Sequence, residues 1–345
     1  MTAAQQERIA NFVGDGLYDN NIFDLSSSGN RDGCFEPYML LRKVFLSRGI
    51  EINTSGVNQA NKPIFELHMD VQSNFKNNVP KYAVLYETPH IRPVNQCKSL
   101  LAKYRRIFTW RDDWVDGERY IKLNLPNMII VNNSRGWSGR DKLCCMISAN
   151  KTVPYASPQL LYSERVRSIR WFEQHAPQDF DLFGLGWDKP VARHGLVGRV
   201  MRKLQRYIPK RKGQVFFPSY RGKVASKLET FQKYRFCICY ENVRDLPGYI
   251  TEKIWDSFFA GCVPVYWGAS NITMYIPEDC FIDRRKFANH EELYSFLVSM
   301  PEPEYIAYQD RISKFLISDR AKPFSAEAFA EIIVNTIVSD LGITV

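Results

Sequence analysis

The stretch YRFCICYENVRDLPGYITEKIWDSFFAGCVPVYWG, residues 234–268, decides the fold. Aromatic and β-branched residues at 236–240 predict a short buried strand, which a polar loop follows. Thr251 stands at the N-cap of a predicted helix with apolar residues at helical spacing, and Gly261 is its natural end. Residues 263–266 predict the next buried strand. A strand–loop–helix–strand unit of this kind is typical of a parallel α/β sheet.

The remainder of the chain shows the same alternation of strand-like and helix-like runs, so the predicted fold class is α/β. Helices are predicted at 38–47 and 163–175, with Ser163 as an N-cap. Strands are predicted at 50–53, 64–67, 82–86, 107–110, 128–131, 143–148 and 180–183. A length of 345 residues suits two domains. The turn-rich segment 149–163 predicts their junction, giving domains 1–155 and 156–345.

The composition of the chain excludes a disordered, collagen-like or small disulfide-stapled protein. Hydrophobic residues make up 45% and charged residues 24%, as in ordinary globular proteins. No run of 18 apolar residues predicts a membrane span, and the first residues lack the pattern of a signal peptide, so a cytoplasmic setting is expected. The eight cysteines show no C-x-x-C spacing, which predicts buried small side chains and no zinc site.

The net charge of +9 is concentrated in one segment. Residues 191–212 hold eight basic side chains and no acidic one, and their apolar residues recur at helical spacing. A basic amphipathic helix can bind an anionic membrane surface. The same pattern also fits a packed surface helix or contact with another anionic partner. Because the rest of the chain is nearly neutral, nucleic-acid binding is not expected.

The loop and helix start after the first strand of 234–268 carry the chemistry. Ligands of parallel α/β proteins bind outside the carboxyl ends of strands, where this loop lies. Lys253 is suited to a phosphate, and Glu252 to accepting hydrogen bonds from sugar hydroxyls. Asn242 and Tyr249 offer further contacts, so the pattern predicts a pocket for a nucleotide-linked sugar. The alternative is a solvated first turn; neither a P-loop nor G-x-G-x-x-G is present.

Residues 236–268 closely resemble the conserved stretch of the α1,3-fucosyltransferase family, glycosyltransferase family 10. The resemblance implies a GT-B fold, with two Rossmann-like domains facing a central cleft. It also implies that the C-terminal domain holds GDP-fucose through Asn242, Tyr249, Glu252 and Lys253. Glu241 is expected to fix the loop.

Two further elements follow from the resemblance. Tyr86-Glu87-Thr88-Pro89-His90 is similar to the Glu-Ser-Pro element of the family, with Thr88 in place of serine. Glu87 is therefore expected to be the catalytic base, in an N-terminal domain that binds the acceptor. A basic residue upstream of Tyr234 should reach the pyrophosphate, and the candidates, in order of preference, are Arg221 and Lys227, with Lys223 also considered.

The implied reaction is transfer of L-fucose from GDP-fucose to a glycan hydroxyl with inversion, using no required cofactor or metal; stimulation by Mn²⁺ or Mg²⁺ stays open. The D-x-D at 179–181 is interpreted as part of a strand. The acceptor is expected to be an oligosaccharide or lipopolysaccharide glycan, with the enzyme at the inner face of the membrane. Alternatives are another sugar nucleotide on the same fold, a non-catalytic module that binds a glycan or nucleotide, or a lipid- or nucleic-acid-binding protein that uses the basic segment 191–212.

Overall fold

The first of two sheets has six parallel strands in the order β2-β1-β3-β4-β5-β6. The structure, a computed structural model, describes residues 8–58, 62–75, 77–132, 135–191, 200 and 215–343. The strands are β1 (Arg8–Val13), β2 (Ile50–Thr54), β3 (Glu66–Met69), β4 (Lys81–Val84), β5 (Arg106–Thr109) and β6 (Tyr120–Lys122). The accompanying helices are α1 (Glu36–Ser47), α2 (Lys98–Leu101) and α9 (Ala326–Asp340).

Helices α1 and α9 pack together over the core of this sheet. Leu41 and Phe45 of α1 are fully buried, and they share one apolar cluster with Ile333 and Ile337 of α9. The helix predicted at 38–47 is confirmed, with two more residues at its start. It ends before Gly49, whose φ of +69° is accessible to glycine at little cost.

The second sheet has five parallel strands in the order β11-β10-β9-β7-β8. The strands are β7 (Lys142–Ile147), β8 (Phe180–Phe183), β9 (Tyr234–Tyr240), β10 (Val263–Trp267) and β11 (Ile282–Asp283). The helices are α3 (Tyr162–His175), α4 (Lys227–Phe231), α5 (Glu252–Phe259), α6 (Ile272–Tyr275), α7 (His290–Ser299) and α8 (Glu302–Leu316). The predicted α/β class is confirmed in both sheets.

The unit predicted from residues 234–268 is confirmed as β9, α5 and β10. The two strands pair in parallel register, from Val263 opposite Phe236 to Trp267 opposite Tyr240. Gly261 ends the helix with a φ of +65°. Both strands therefore end at the same edge of the sheet, and the loop after β9 lies there.

The division of the chain differs from the predicted boundary at residues 155 and 156. The first unit comprises 1–129, 247–249 and 321–345, and the second 130–246 and 250–320. Strand β7 belongs to the second unit because it pairs with β8 and β9. Helix α9 belongs to the first because it packs on α1, and its Asp340 forms an ion pair with Arg106 at 2.7 Å.

Two local predictions are wrong. The apolar run 128–131 forms no strand. Its neighbour Asn127 makes only an isolated bridge to Ser325. Helix α3 begins at Tyr162, so the N-cap position falls on Leu161 and not on Ser163.

Six of the eight cysteines are buried as predicted, whereas Cys34 is exposed and Cys97 is half-buried. All eight are free thiols. The predicted basic helix at 191–212 lies, apart from residues 191 and 200, outside the described residues. None of the described helices is long and apolar enough to cross a membrane.

Candidate functional site

Lys253 is anchored at the carboxyl edge of the second sheet by a buried carboxylate. Glu241 follows β9 directly and is fully buried, and its oxygens accept the Thr251 N–H at 2.8 Å and the Thr251 hydroxyl at 2.7 Å. The Nζ of Lys253 lies 3.2 Å from Oε2 of Glu241 and donates to Oγ1 of Thr251 at 2.8 Å. The prediction that Glu241 fixes the loop is confirmed.

Thr251 occupies the N-cap position of α5, but its hydroxyl does not cap the helix. The hydroxyl donates to Glu241 and accepts from Lys253. The first turn of α5 therefore has no side-chain cap from Thr251, and an N-terminus of this kind attracts anions.

The charges around Lys253 keep it ionised. Burial would lower its pKa, but the carboxylates of Glu241 and Glu252 outweigh burial and raise the pKa above its ordinary value. For Glu252, burial would raise the pKa, but the positive charges of Lys253 and Lys227 lower it to about 2. The Glu252 side chain is nevertheless 52% exposed, so its carboxylate is accessible to a ligand.

Asn242 is held by a buried arginine that the sequence prediction missed. Arg165 of α3 is 5% exposed and donates to the Tyr240 carbonyl at 2.6 Å and to Oδ1 of Asn242 at 3.0 Å. The Asn242 carbonyl accepts the Leu161 N–H at 3.0 Å. The pattern that could have revealed Arg165 is its helical spacing with the buried residues Ile169 and Phe172.

A pocket of about 500 Å³ opens at the same edge of the second sheet. Glu164 and Arg167 line it from the first turns of α3, Arg244 from the loop after β9, and Trp267 from the end of β10. The Arg244 guanidinium lies 5.5 Å from the centre of the Trp267 ring. Strand β7, before α3, lies between β9 and β8, so the strand order reverses here. Ligands of open α/β sheets bind at such switch points.

Of the basic candidates for the pyrophosphate, only Lys227 lies beside α5. Its Nζ is 2.7 Å from Oδ2 of Asp256, one turn after Glu252. Arg221, the preferred candidate, forms an ion pair with Asp181 of β8 at 2.7 Å. Lys223 is exposed. This placement favours Lys227, and which of the two reaches the pyrophosphate stays a prediction.

The D-x-D at 179–181 enters strand β8 at its second residue, as interpreted from the sequence. Asp181 accepts from Arg221 and from the Tyr234 hydroxyl, and Asp179 accepts from the Tyr294 hydroxyl at 2.7 Å. Within the part of the chain that the structure describes, no group of three histidine, cysteine or acidic side chains could hold a metal ion. That the reaction needs no metal stays a prediction.

Tyr249 belongs to the first unit, with the short segment 247–249. Its buried ring lies 4.8 Å from that of Trp110, centre to centre. Gly248 has a φ of +81°, and a Cβ there would be 2.1 Å from the Trp110 carbonyl oxygen. The ring of Tyr249 is thus part of the packing around Trp110, and a donor contact by this residue stays a prediction.

Glu87 also belongs to the first unit and follows the carboxyl end of β4, three residues after Val84. It is half-buried. Its backbone N–H donates to Oδ1 of Asp70 at 3.1 Å, and its carbonyl accepts from Nδ2 of Asn95 at 2.8 Å. A carboxylate at a strand end, on a fixed backbone, is suited to general-base chemistry.

Comparison with known proteins matches residues 191–324 to the model described as glycosyltransferase family 10 (fucosyltransferase) C-term. A rat α-(1,3)-fucosyltransferase 7 is 39% identical over 103 residues, which cover 28% of each chain. The Helicobacter pylori α-(1,3)-fucosyltransferase FucT is 32% identical over 74 residues, 21% of this chain and 15% of that one. The matches therefore span less than a third of these curated relatives.

A solved structure of an α1,3-fucosyltransferase with GDP-fucose aligns over 98% of this chain and 93% of its own, with a TM-score of 0.50. At 12% sequence identity this likeness shows the fold alone. Together with the two parallel sheets, it confirms the predicted α/β architecture of the GT-B type.

Proposed function

The chain is a member of glycosyltransferase family 10, whose C-terminal model matches residues 191–324, and on that premise we propose a fucosyltransferase that uses GDP-fucose as donor. One observation carries the proposal: an ionised Lys253, fixed by Glu241 and Thr251, at the carboxyl edge of the second sheet. The 500 Å³ pocket at that edge is lined by Glu164, Arg167, Arg244 and Trp267 and not by Lys253 itself. A fixed cation at that edge suits the pyrophosphate of a sugar nucleotide.

The donor residues that we propose are Asn242, Glu252 and Lys253, with Lys227 as the second cation and Arg221 after it. Tyr249 is retained as a donor contact on the family resemblance alone. Lys253 stabilises the negative charge that develops on GDP as the bond to fucose breaks. The half-exposed carboxylate of Glu252 accepts hydrogen bonds from donor hydroxyls.

In the reaction that we propose, a hydroxyl of the glycan acceptor attacks the anomeric carbon of fucose. The carboxylate of Glu87 takes the hydroxyl proton, the new glycosidic bond forms, and GDP leaves from the opposite side with inversion. General-base catalysis of this kind contributes about 10² to 10⁴ in rate. No step requires a metal ion.

The finer proposal is an α1,3 linkage to a GlcNAc- or Glc-containing oligosaccharide or lipopolysaccharide glycan. It rests on the names of the rat and Helicobacter pylori relatives, both α-(1,3)-fucosyltransferases. The eight basic residues at 191–212 support peripheral binding at the cytoplasmic face of an anionic membrane. Co-sedimentation with vesicles that responds neither to anionic lipid content nor to salt would contradict the membrane proposal.

The experiment that tests the donor is isothermal titration with GDP-fucose, GDP-mannose and UDP-galactose. Wild type should bind GDP-fucose selectively, and Lys253→Ala should weaken binding at least about tenfold, the value of one charge-assisted hydrogen bond. Lys286→Ala is the matched control, because Lys286 is a 63% exposed lysine of the second unit. If wild type prefers another sugar nucleotide, that nucleotide and not GDP-fucose is the donor. Binding without turnover on any glycan would indicate a non-catalytic module.

A further inference from the structure

A buried aspartate holds the backbone that carries Glu87. Asp70 follows β3 directly and is 6% exposed. Its Oδ1 accepts the N–H of Tyr86 at 2.7 Å and the N–H of Glu87 at 3.1 Å. One carboxylate oxygen from the end of β3 therefore binds two successive peptide groups after the end of the neighbouring strand β4.

A buried asparagine completes the arrangement from the other side. Asn95 is 1% exposed, and its Nδ2 donates both to Oδ1 of Asp70 at 2.8 Å and to the Glu87 carbonyl at 2.8 Å. Its Oδ1 accepts the Val71 N–H at 2.9 Å, so the amide orientation is fixed. Both backbone polar groups of Glu87 thus bond to side chains that are more than nine-tenths buried.

The backbone conformation and the burial of Asp70 are both energetically unfavourable. Its φ of +59° lies in the left-handed region, which is unfavourable for residues other than glycine, although aspartate and asparagine tolerate it best. A buried carboxylate also has to be compensated by hydrogen bonds, and Asp70 receives three. Strain and a buried carboxyl group in one residue, which bonds the segment 86–87, are typical of a functional site.

We propose that Asp70 and Asn95 are positioning residues for Glu87, which fix its backbone so that its carboxylate meets the acceptor hydroxyl. The inference rests on the proposed function, because it takes Glu87 as the base. A misplacement of about 1 Å in a reacting group costs about 10²-fold in rate. Loss of either side chain should therefore lower kcat while donor binding, whose proposed charged contacts Glu252, Lys253 and Lys227 belong to the second unit, stays unchanged.

The test compares Asp70→Gly, Asp70→Asn and Asn95→Ala. Glycine removes the carboxylate but adopts a φ of +59° without strain, so this variant should fold. Asparagine keeps an oxygen that can accept the two N–H groups. We expect Asp70→Gly and Asn95→Ala to lose about 10²-fold in kcat, and Asp70→Asn to stay within about tenfold of wild type. The KM for GDP-fucose and the Kd for GDP should be unchanged in all three.

The matched control is Glu66→Gln. Glu66 is also a buried carboxylate of the β3 segment, but it begins the strand and bonds His68 and Asn77 instead of Glu87. The Glu66→Gln substitution should reduce thermal stability without lowering kcat. A purely structural role for Asp70 would give a kcat loss no larger than that of Glu66→Gln at equal stability, and would overturn the inference.

Glu87→Gln separates this inference from the proposed function. If Glu87→Gln is inactive while Asp70→Gly and Asn95→Ala keep wild-type kcat, only the positioning role is wrong. If Glu87→Gln keeps wild-type kcat, the assignment of Glu87 as base fails, and the positioning role fails with it. If GDP-fucose does not bind to wild type, the proposed donor fails first.

Discussion

The Nζ of Lys253 lies 3.2 Å from Oε2 of Glu241, a carboxylate with no surface exposed to solvent. The cation itself is 23% exposed, so the pair has one buried and one accessible member. A ligand can reach Lys253 from solvent, whereas Glu241 can only be compensated from within the protein. The same ion pair therefore determines both the stability of the loop and the charge offered to the donor.

Removing Lys253 should leave the buried Glu241 uncompensated. We expect Lys253→Ala to lower the free energy of unfolding by about 3 kcal/mol, as for other broken buried ion pairs. Glu241→Gln in that background should recover at least half of the loss. Urea denaturation of the two single variants and the double variant measures this coupling, and strictly additive losses would contradict it.

Arg165 should affect donor binding through Asn242. Arg165→Ala removes the bonds to the Tyr240 carbonyl and to Oδ1 of Asn242, so the loop after β9 loses its support. We expect the Kd for GDP to rise about tenfold, the equivalent of about 1.4 kcal/mol. Arg170→Ala is the control, because Arg170 is a half-exposed arginine of the same helix. Equal effects of the two variants in titration would argue against the role of Arg165.

Substitutions of Lys227 and Arg221 should differ in their effect on GDP binding. Lys227 lies beside Asp256 on the helix that carries Glu252 and Lys253, whereas Arg221 bonds Asp181 of β8. We expect Lys227→Ala to weaken GDP binding about tenfold or more, and Arg221→Ala to change it by less than about threefold. Titration of both variants with GDP decides the order, and the reverse result would restore Arg221 as the pyrophosphate ligand.

Glu252 should contribute to acid unfolding. Its pKa in the folded protein, about 2, lies below the ordinary value of 4.5, so the unfolded chain binds its proton more readily. The stability from the ionised carboxylate is complete above about pH 4.5 and is lost as the pH falls towards 2. Thermal unfolding of Glu252→Gln should show a smaller decrease than wild type over that range. Parallel curves would contradict the assignment.

Replacing Gly248 should destabilise the protein for two reasons, backbone strain and a steric clash. Gly222 distinguishes them, because only strain applies there. Both have left-handed backbones, with φ of +81° and +101°, but only at Gly248 would a Cβ meet another atom, the Trp110 carbonyl oxygen at 2.1 Å. We expect Gly222→Ala to cost about 1 kcal/mol from strain alone. Gly248→Ala should cost at least about 2 kcal/mol more, measured by urea denaturation, since backbone must move. Equal losses would show that the 247–249 segment shifts freely.

Local patterns in the sequence predicted most helices and strands, because hydrophobic spacing and turn residues within each segment indicate its secondary structure. Strand 180–183 matches β8 at both ends, and the 234–268 unit is recovered entire. The predicted strand at 128–131 failed because an apolar run also needs a partner, and the run finds none in either sheet. The discontinuous division of the chain could not be predicted from a local segment, because the packing of α9 on α1 joins residues almost 300 positions apart.

The same limit applies to the site. That Glu241 fixes the loop could be predicted because Glu241 and its partner Thr251 lie within one short motif. Helical spacing can indicate that Arg165 is buried, but its contact with Asn242 could not be predicted, because it crosses 77 positions of sequence. The hydroxyl of Thr251 illustrates a competing interaction: its position predicts a helix cap, but the buried carboxylate of Glu241 is the stronger acceptor.

The return of α9 to the first sheet has a consequence for synthesis on the ribosome. The six strands of that sheet are complete by Lys122, but the helix that covers Phe12 and Phe45 begins only at Ala326. Apolar surface of the nascent first unit therefore stays uncovered until about 200 further residues have been translated. During that interval the second unit can already fold, because its described strands and helices all precede α9. We expect chaperones to bind mainly to the uncovered first sheet.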